Sequence, residues 1–299
     1  METYKLGNIC ICSAKEFRCF DLLREELINN QVLFEMPVHV IKLKALKEWD
    51  NTYLYGKSRI HRNPHNGHEI WKDEEGAETI DILGSLIIRS AVFETNIYYC
   101  LEGDLYSCLR NKICGMIRQY VLRDSLFGIH SALLGKGLRK LLIIGSKGSG
   151  KTSSILNGAA HHGKVFTDEF IFVDQNLKVS CLKRFPAVTK HTLKAYFKDS
   201  DFTIRGEIYS DLAGENKYLL DIAISEEDKF PLREIDTIYV LPLNKNQIIN
   251  EENKTSIVTD NFITGNGKSG EVIQIFETLV RKSKMITIAQ LKNSLARME

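Results

Sequence analysis

The sequence lacks any long uninterrupted apolar segment. Its apolar runs are short, of which Leu141–Ile144 is typical, whereas a helix that crosses a membrane needs roughly 20 apolar residues in a row. The segment Met1–Asn8 is largely polar and lacks the basic and apolar regions of a secretory signal peptide. These absences predict a cytoplasmic protein with no membrane span.

The sequence also lacks an excess of charge of either sign. The chain of 299 residues carries 40 Lys and Arg against 38 Asp and Glu, which gives a formal net charge of +2. Such a balance creates no whole-molecule field that attracts nucleic acid or an anionic membrane, so we expect neither as a partner. Because 43% of the residues are apolar and 26% are charged, the composition is typical of a folded globular protein and not of a disordered one.

Paired cysteines are absent as well. None of the seven cysteines belongs to a C-x-x-C pair of the kind that closes a zinc site, so we expect reduced and mostly buried thiols. His61, His65 and His68 have a metal-like spacing, but turn-forming Asn-Pro and Asn-Gly pairs lie between them without a Cys or acidic partner. We therefore interpret this segment as a solvated loop.

The first part of the chain has the pattern of a mixed α/β domain. Residues 38–43 and 79–89 are rich in strand-forming residues and flank a polar segment with turn residues, which predicts a β meander. Apolar residues recur at helical spacing over 105–122, and a second helix is predicted over 15–29. We place the end of this domain at residue 122 and assign it a role in docking the substrate.

After Asp124 the pattern changes to short apolar strands that alternate with a helix, which is typical of βαβ units. This part, residues 123–299, forms the second predicted domain. Strands are expected over 139–144, 164–167, 170–174, 218–224 and 237–242, and helices over 151–160 and 269–282.

The strongest chemical signal is the segment Gly145-Ser-Lys-Gly-Ser-Gly150-Lys151-Thr152, which fits G-x-x-x-x-G-K-[ST] at every fixed position. A predicted strand precedes it and a predicted helix follows, so the backbone N–H groups of the loop would converge on phosphates. Lys151 would reach the β and γ phosphates, and the Thr152 hydroxyl would bind Mg²⁺. The predicted ATP-binding residues are Gly145, Ser146, Lys147, Gly148, Ser149, Gly150, Lys151, Thr152 and Ser153.

A nucleotide-binding loop leaves open which carboxylate serves the metal or the nucleophile. Asp168 and Asp174 each end a predicted strand soon after the loop, and both are candidates. The run Asn244-Lys-Asn-Gln247 is similar to the guanine-reading pattern N-K-x-D. However, Gln247 stands where a carboxylate would accept from the guanine ring, so the sequence disfavours a GTPase.

The spacing around the loop resembles that of the HPr kinase/phosphorylase family, whose P-loop fold is akin to that of phosphoenolpyruvate carboxykinase. His130 precedes Gly145 by 145 − 130 = 15 residues, and Asp168 follows Thr152 by 168 − 152 = 16 residues, as in the family. The likeness covers residues 125–243. It implies an α/β protein with an HPr-kinase-like P-loop domain on a central mixed sheet, preceded by a smaller mixed α/β domain.

The resemblance also implies a role for each matched residue. Asp168 would be the general base that takes the proton of the acceptor hydroxyl, and His130 would lie beside it and orient it. Glu169, where the family commonly has Asp, would hold Mg²⁺ together with Thr152. The segment Thr203–Ile208 lacks the first Glu and the last Gly of the family's E-x-R-G-x-G signature, which argues against HPr as substrate and against phosphorolysis.

The function implied by the resemblance is an ATP- and Mg²⁺-dependent kinase that phosphorylates a serine-type hydroxyl of a peptide or protein. Arg184-Phe-Pro186 and Tyr239–Leu241 are similar to the shorter kinases of this superfamily, some of which act in peptide natural-product clusters. The family also suggests a homo-oligomer. Two alternatives stay open, namely a kinase of a small-metabolite hydroxyl and a nucleotide-sensing regulator without catalysis.

Overall fold

The computed structural model is a mixed α/β protein, and its described residues form three β-sheets and seven α-helices. None of these seven helices is both long and apolar enough to cross a membrane. The description covers the chain except residues 1, 16, 18, 47–54, 63–68, 74–78, 84–85, 100–104, 137–138, 147, 161–162, 197–202, 211–214, 223, 226, 228, 243–248, 268 and 297–299.

Two compact units make up the chain. The first comprises residues 1–115 and 206–218, and the second comprises residues 116–205 and 219–299. The first division falls inside a continuous helix, whereas the sequence analysis placed it after residue 122. A helix that runs through a boundary needs no linker, so the composition does not change there.

The first unit is built on an eight-stranded sheet with the order β1-β2-β3-β8-β7-β6-β5-β4. Strand β3 is parallel to both of its neighbours, and the other pairs are antiparallel. The run from β4 to β8 is an antiparallel meander, whereas β3, which was expected to belong to it, is parallel to β8. The elements are β1 Glu2–Leu6, β2 Ile9–Ser13, α1 Cys19–Leu27, a 3-10 helix Gln31–Phe34, β3 His39–Ala45, β4 Lys57–Arg62, β5 Glu69–Asp73, β6 Thr79–Leu83, β7 Leu86–Ser90, β8 Glu94–Tyr99 and α2 Leu105–Asp124, which continues into the second unit.

A buried ion pair joins α1 to the first half of α2. The buried face of α1 includes Glu26, which is 1% exposed, among apolar side chains. Its carboxylate accepts from Arg110 Nε at 2.6 Å and from the Tyr106 hydroxyl at 2.6 Å. Burial and the Glu26 charge raise the pKa of Tyr106. Each charge at this position is tolerated only because the other is present.

The cysteines agree with the expectation only in part. All six cysteines in the described part of the chain are free thiols. Cys108 and Cys114 are buried, whereas Cys10, Cys12, Cys19 and Cys181 are partly exposed. Most of the thiols are therefore less buried than the composition suggested.

The second unit contains most of the predicted βαβ elements at their predicted positions. Its largest sheet has nine strands. Strands β14, β16 and β15 form a third sheet, but residues 206–210 of β15 and 215–218 of β16 belong to the first unit. The elements that follow α2 along the chain are β9 Ser125–Lys136, β10 Arg139–Gly145, α3 Lys151–Ala160, β11 Lys164–Thr167, β12 Phe170–Asp174, β13 Lys178–Cys181, β14 Ala187–Thr189, α4 Lys190–Tyr196, β15 Thr203–Ser210, β16 Glu215–Asp221, β17 Lys229–Pro231, a 3-10 helix Leu232–Glu234, β18 Ile235–Leu241, α5 Glu251–Asp260, β19 Phe262–Thr264, α6 Ser269–Lys282, β20 Lys284–Met285 and α7 Ile288–Ala296.

Strand β9 organises this large sheet because it pairs with four other strands. On one edge it is antiparallel to β12 and β11, and on the other edge it is antiparallel to β19 and β10. Leu133 and Leu134 pair with both β10 and β11, which places these two strands on opposite sides of β9. Being antiparallel to the same strand, β10 and β11 are parallel to each other, and α3 is the crossover between them.

We predict that Arg110→Met destabilises the first unit by about 3–5 kcal/mol, because it leaves the buried Glu26 carboxylate without its cation. Chemical denaturation would measure the change in the free energy of unfolding. Lys42→Met is the matched control, since Lys42 pairs with Glu94 at an exposed position of the same unit, where a pair contributes about 0–1 kcal/mol. Equal losses in the two variants would contradict the prediction.

Candidate functional site

The loop that follows the G-x-x-x-x-G-K-[ST] pattern joins the buried strand β10 to helix α3. Gly148 and Gly150 have φ angles of +84° and +94°, a region that glycine enters without a Cβ penalty. The Ser149 N–H donates to the Ser146 carbonyl at 3.1 Å, and the Ser154 N–H donates to the Gly150 carbonyl at 2.9 Å. The loop therefore has the strand-turn-helix context that the motif requires. Lys147 lies outside the described residues.

Lys151, the first residue of α3, directs its ammonium into the loop. Its Nζ donates to the Gly145 carbonyl and, at 3.2 Å, to the Ser146 carbonyl. Burial lowers the pKa of Lys151 to about 8, and the carboxylates of Asp168 and Glu169 oppose this shift. The ammonium thus stays mostly protonated at neutral pH, although the side chain is only 7% exposed.

The loop also contains a buried hydroxyl that suits an anionic ligand. Ser149 Oγ is buried and has no hydrogen-bond partner among the residues that the structure describes. Buried hydroxyls without a partner are costly and rare in native structures. A phosphate oxygen accepts from such a donor, so the loop fits a phosphate-bearing ligand.

The turn that carries Asp168 and Glu169 lies between β11 and β12, which follow one another along the same edge of β9. Thr167 organises this turn: its Oγ1 accepts from the N–H groups of Glu169 and Phe170 and donates to the Leu182 carbonyl at 2.7 Å. On the other side, the Glu169 carbonyl accepts from the Ser131 N–H of β9 at 3.0 Å. The backbone of the two acidic residues is therefore held from both sides.

Arg184 balances the charge of this acidic pair. Its Nε forms an ion pair with Glu169 Oε2 and lies 3.7 Å from Asp168 Oδ1. Asp168 is buried and Glu169 is mostly covered, so the two adjacent carboxylates would repel each other strongly without a cation. This role is not visible in the sequence, because the segment 182–184 comes next to the turn only when the chain folds.

His130 lies on β9 directly opposite Phe170, the residue that follows the acidic pair. Burial, followed by the Lys151 ammonium, lowers the pKa of His130 to about 4, while Glu169 opposes the shift through its charge and a backbone hydrogen bond. The imidazole is therefore neutral at physiological pH. His130, Lys151, Asp168 and Glu169 therefore lie close enough together for their charges to affect one another.

The donor groups near the loop suit Mg²⁺ that arrives with a nucleotide. Within the described residues, no group of three or more His, Cys, Asp or Glu side chains could hold a metal ion on its own. Mg²⁺ commonly takes one or two carboxylates, the substrate phosphates and several waters. The Thr152 hydroxyl, at the second residue of α3, and the Glu169 carboxylate are donors of the right chemistry. Ser153 follows on α3 and is partly buried.

Asp174, the second candidate carboxylate, does not join this site. Asp174 ends β12, and its Oδ1 accepts from the N–H groups of Asn176 and Lys178 at 2.9 and 3.0 Å. That carboxylate caps the turn into β13. The guanine-like run 244–247 and the histidines at 65 and 68 lie outside the described residues.

Comparison with known proteins adds no identity. No protein-family model matches this chain, and no curated protein matches it in sequence.

We predict that Gly150→Ala destabilises the protein more than Gly148→Ala does. Both alanines must adopt a left-handed φ, which costs about 1 kcal/mol. At position 150 the new Cβ would also lie 2.7 Å from Ile288 Cδ1 of α7, whereas nothing lies within 4 Å at position 148. Because Ile288 is partly exposed and Cδ1 is the end of its side chain, the side chain can turn aside. The overlap therefore adds about 0.5–1.5 kcal/mol, the cost of an unfavourable rotamer, to the loss in the free energy of unfolding. Adding Ile288→Ala should remove the difference, and two equal single losses would disprove the contact.

We also predict that His130 titrates near pH 4 in the folded protein. Because its pKa is below the ordinary value of about 6.5, the folded state binds fewer protons than the unfolded state. The contribution of His130 to stability is therefore complete above about pH 6.5 and is lost as the pH falls toward 4. NMR chemical shifts of the imidazole would measure the pKa, with the protein in urea as the reference. A folded-state midpoint at pH 6 or above would contradict the burial argument.

Proposed function

We propose that this protein is an ATP- and Mg²⁺-dependent kinase of the HPr-kinase-like type, with its P-loop domain in the second unit. It transfers the γ-phosphate to a serine-type hydroxyl of a peptide or protein. The observation that carries this proposal is the proximity of the loop lysine to the buried acidic pair across strand β9. Ser131 of β9 pairs with Ile144, just before the loop, and its N–H donates to the Glu169 carbonyl at 3.0 Å. The carboxylates of Asp168 and Glu169 accordingly raise the pKa of Lys151, against the effect of burial.

In the proposed reaction the loop binds the triphosphate, and Lys151 neutralises charge on it. Thr152 and Glu169 would hold Mg²⁺, which supplies further neutralisation of the phosphate charge when it is bound. Asp168 accepts the proton of the acceptor hydroxyl as the oxygen forms a bond to the γ-phosphorus. The bond between that phosphorus and the bridging oxygen breaks, and ADP leaves with the electron pair.

The arrangement of the acidic pair favours catalysis over nucleotide sensing. A sensor needs only the loop, whereas burying two adjacent carboxylates is unfavourable unless a cation compensates them. Here Arg184 supplies that cation, and Thr167 and Ser131 hold the turn. A compensated and rigidly held acidic pair beside the loop is expected where a carboxylate must face the γ-phosphate.

The choice of a peptide or protein acceptor rests on the resemblance to the shorter kinases of the superfamily. Two departures from the family's E-x-R-G-x-G signature further restrict the activity that we propose. Thr203 and Ile208, both on β15, replace the Glu and Gly of the family signature. Since that signature contributes to metal binding and phosphorolysis in the family, we propose a kinase without the reverse activity, acting on an acceptor other than HPr.

We predict that Asp168→Asn abolishes phosphate transfer while nucleotide binding is nearly unchanged, because the variant loses the proton acceptor and keeps the loop. Purified protein, Mg²⁺ and γ-labelled ATP would be incubated with peptide and metabolite fractions from the source organism. Nucleotide affinity would be measured in parallel by calorimetry. Lys151→Ala should instead weaken both nucleotide binding and transfer.

Asp174→Asn is the matched control, since Asp174 ends β12, the strand that follows the acidic pair, but its carboxylate caps a turn. This variant should transfer phosphate like the unmodified protein. Transfer by Asp168→Asn would refute the assigned base. Label that appears only in a metabolite fraction would show that the acceptor is a small metabolite and not a peptide. Tight nucleotide binding without any transfer would support a nucleotide-sensing protein.

A further inference from the structure

The second unit has a cleft with a volume of about 480 Å³, which lies within the usual range for small-molecule sites. The turn between β12 and β13, the 3-10 helix after β17, the start of β18 and one side of α6 enclose it. Its apolar lining includes Leu177, Leu232, Ile235, Ile238, Ile275 and Leu279. This lining could cover the hydrocarbon part of a ligand.

The cleft is distinct from the nucleotide-binding loop. In the parallel pair of β10 and β18, Gly145 pairs with Leu241 at the carboxyl end of both strands. Ile235, which lines the cleft, instead pairs with Lys140 at the opposite end. A ligand in the cleft would therefore leave the loop accessible.

Three cationic side chains, Lys178, Arg233 and Lys282, surround the apolar lining. All three are exposed, and within the described part of the chain none of them forms an ion pair. The lining includes no carboxylate. The three cations are therefore free to bind one anionic group at the opening of the cleft.

Leu177 adds an independent observation at the same place. Its φ of +56° is the one positive value at a non-glycine residue in the described chain, and its side chain is 43% exposed. The Leu177 N–H donates to the Asp174 carbonyl at 3.0 Å, so the residue closes a hairpin turn where Gly or Asn would avoid the Cβ penalty. Strain of this kind persists mainly at functional positions.

We propose that this cleft binds a small amphipathic anion. Its apolar body would contact the leucine and isoleucine lining, including Leu177, and its single carboxylate, sulfonate or phosphate would lie between Lys178, Arg233 and Lys282. This site is independent of the proposed kinase reaction.

Decanoate is the test ligand, and decanol, which has the same chain without the charge, is its control. Binding would be measured by calorimetry and by displacement of 1-anilinonaphthalene-8-sulfonate. We expect one decanoate per chain, and decanol should bind about tenfold more weakly because it lacks the charge-assisted hydrogen bonds. Equal affinities for the two ligands would overturn the proposal.

Two neighbouring charge reversals locate the site. Lys282 lines the cleft, whereas Arg281, the preceding residue of α6, lines a different surface that includes Glu251 and Phe276. Lys282→Glu should weaken decanoate binding about tenfold, and Arg281→Glu, with the same change in net charge, should leave it unchanged. Equal effects of the two substitutions would show that net charge alone attracts the anion, against the proposed site.

Leu177→Asn separates ligand binding from stability. Asn tolerates the left-handed conformation, so the thermal midpoint should stay the same or rise while the affinity for decanoate falls. Unchanged affinity would refute the role of Leu177 in the cleft. Lys151→Ala and added ATP should both leave decanoate binding unaffected, so failure of the kinase assignment and failure of this proposal can be told apart.

Discussion

The pairing of β9 with strands on both of its edges is the constraint on which the candidate site depends. Because β10 pairs with residues 131–136 on one edge, the loop after Gly145 begins beside Ser131. Because β12 pairs with residues 125–130 on the other edge, the acidic pair before Phe170 reaches the same level of β9. His130 lies where these two pairings meet, because it pairs with Phe170 of β12 and the next residue, Ser131, pairs with Ile144 of β10. A shift of one residue in either pairing would turn the side chains to the opposite face of the sheet.

Charge compensation then determines which groups can lie so close together away from water. Two cations, Lys151 and Arg184, accompany two carboxylates, Asp168 and Glu169, and the intervening His130 stays neutral. A protonated His130 would add a third positive charge in a region where burial already disfavours the Lys151 ammonium. The same burial that makes His130 neutral therefore helps Lys151 to keep its proton, and this charge distribution suits an incoming polyanion.

The local part of this arrangement was predictable from the sequence. Helices α3 and α6 were predicted with their observed ends, and the strands on either side of the loop were predicted to within a residue or two, since both rest on short-range periodicity and on the glycine pattern. Arg184 and Thr167 were not recognised, because their contacts with the acidic pair arise only when β12, β13 and the following segment fold together. Strand β9 was not among the predicted strands. It has few polar positions, since both of its faces are buried, and therefore shows little alternation.

In the second unit, left-handed backbone conformations occur both at glycines, which have no Cβ to clash, and at a leucine, which does. At Gly148 and Gly150 the cost is avoided by removing Cβ, as is expected where the backbone must approach phosphates closely. At Leu177 a bulky side chain remains in the same region of φ, although nothing about a hairpin turn requires a leucine. The position borders an apolar cleft with three unneutralised cations. Since turn formation alone would favour glycine or asparagine, the leucine is better explained by the contact that its exposed side chain makes available.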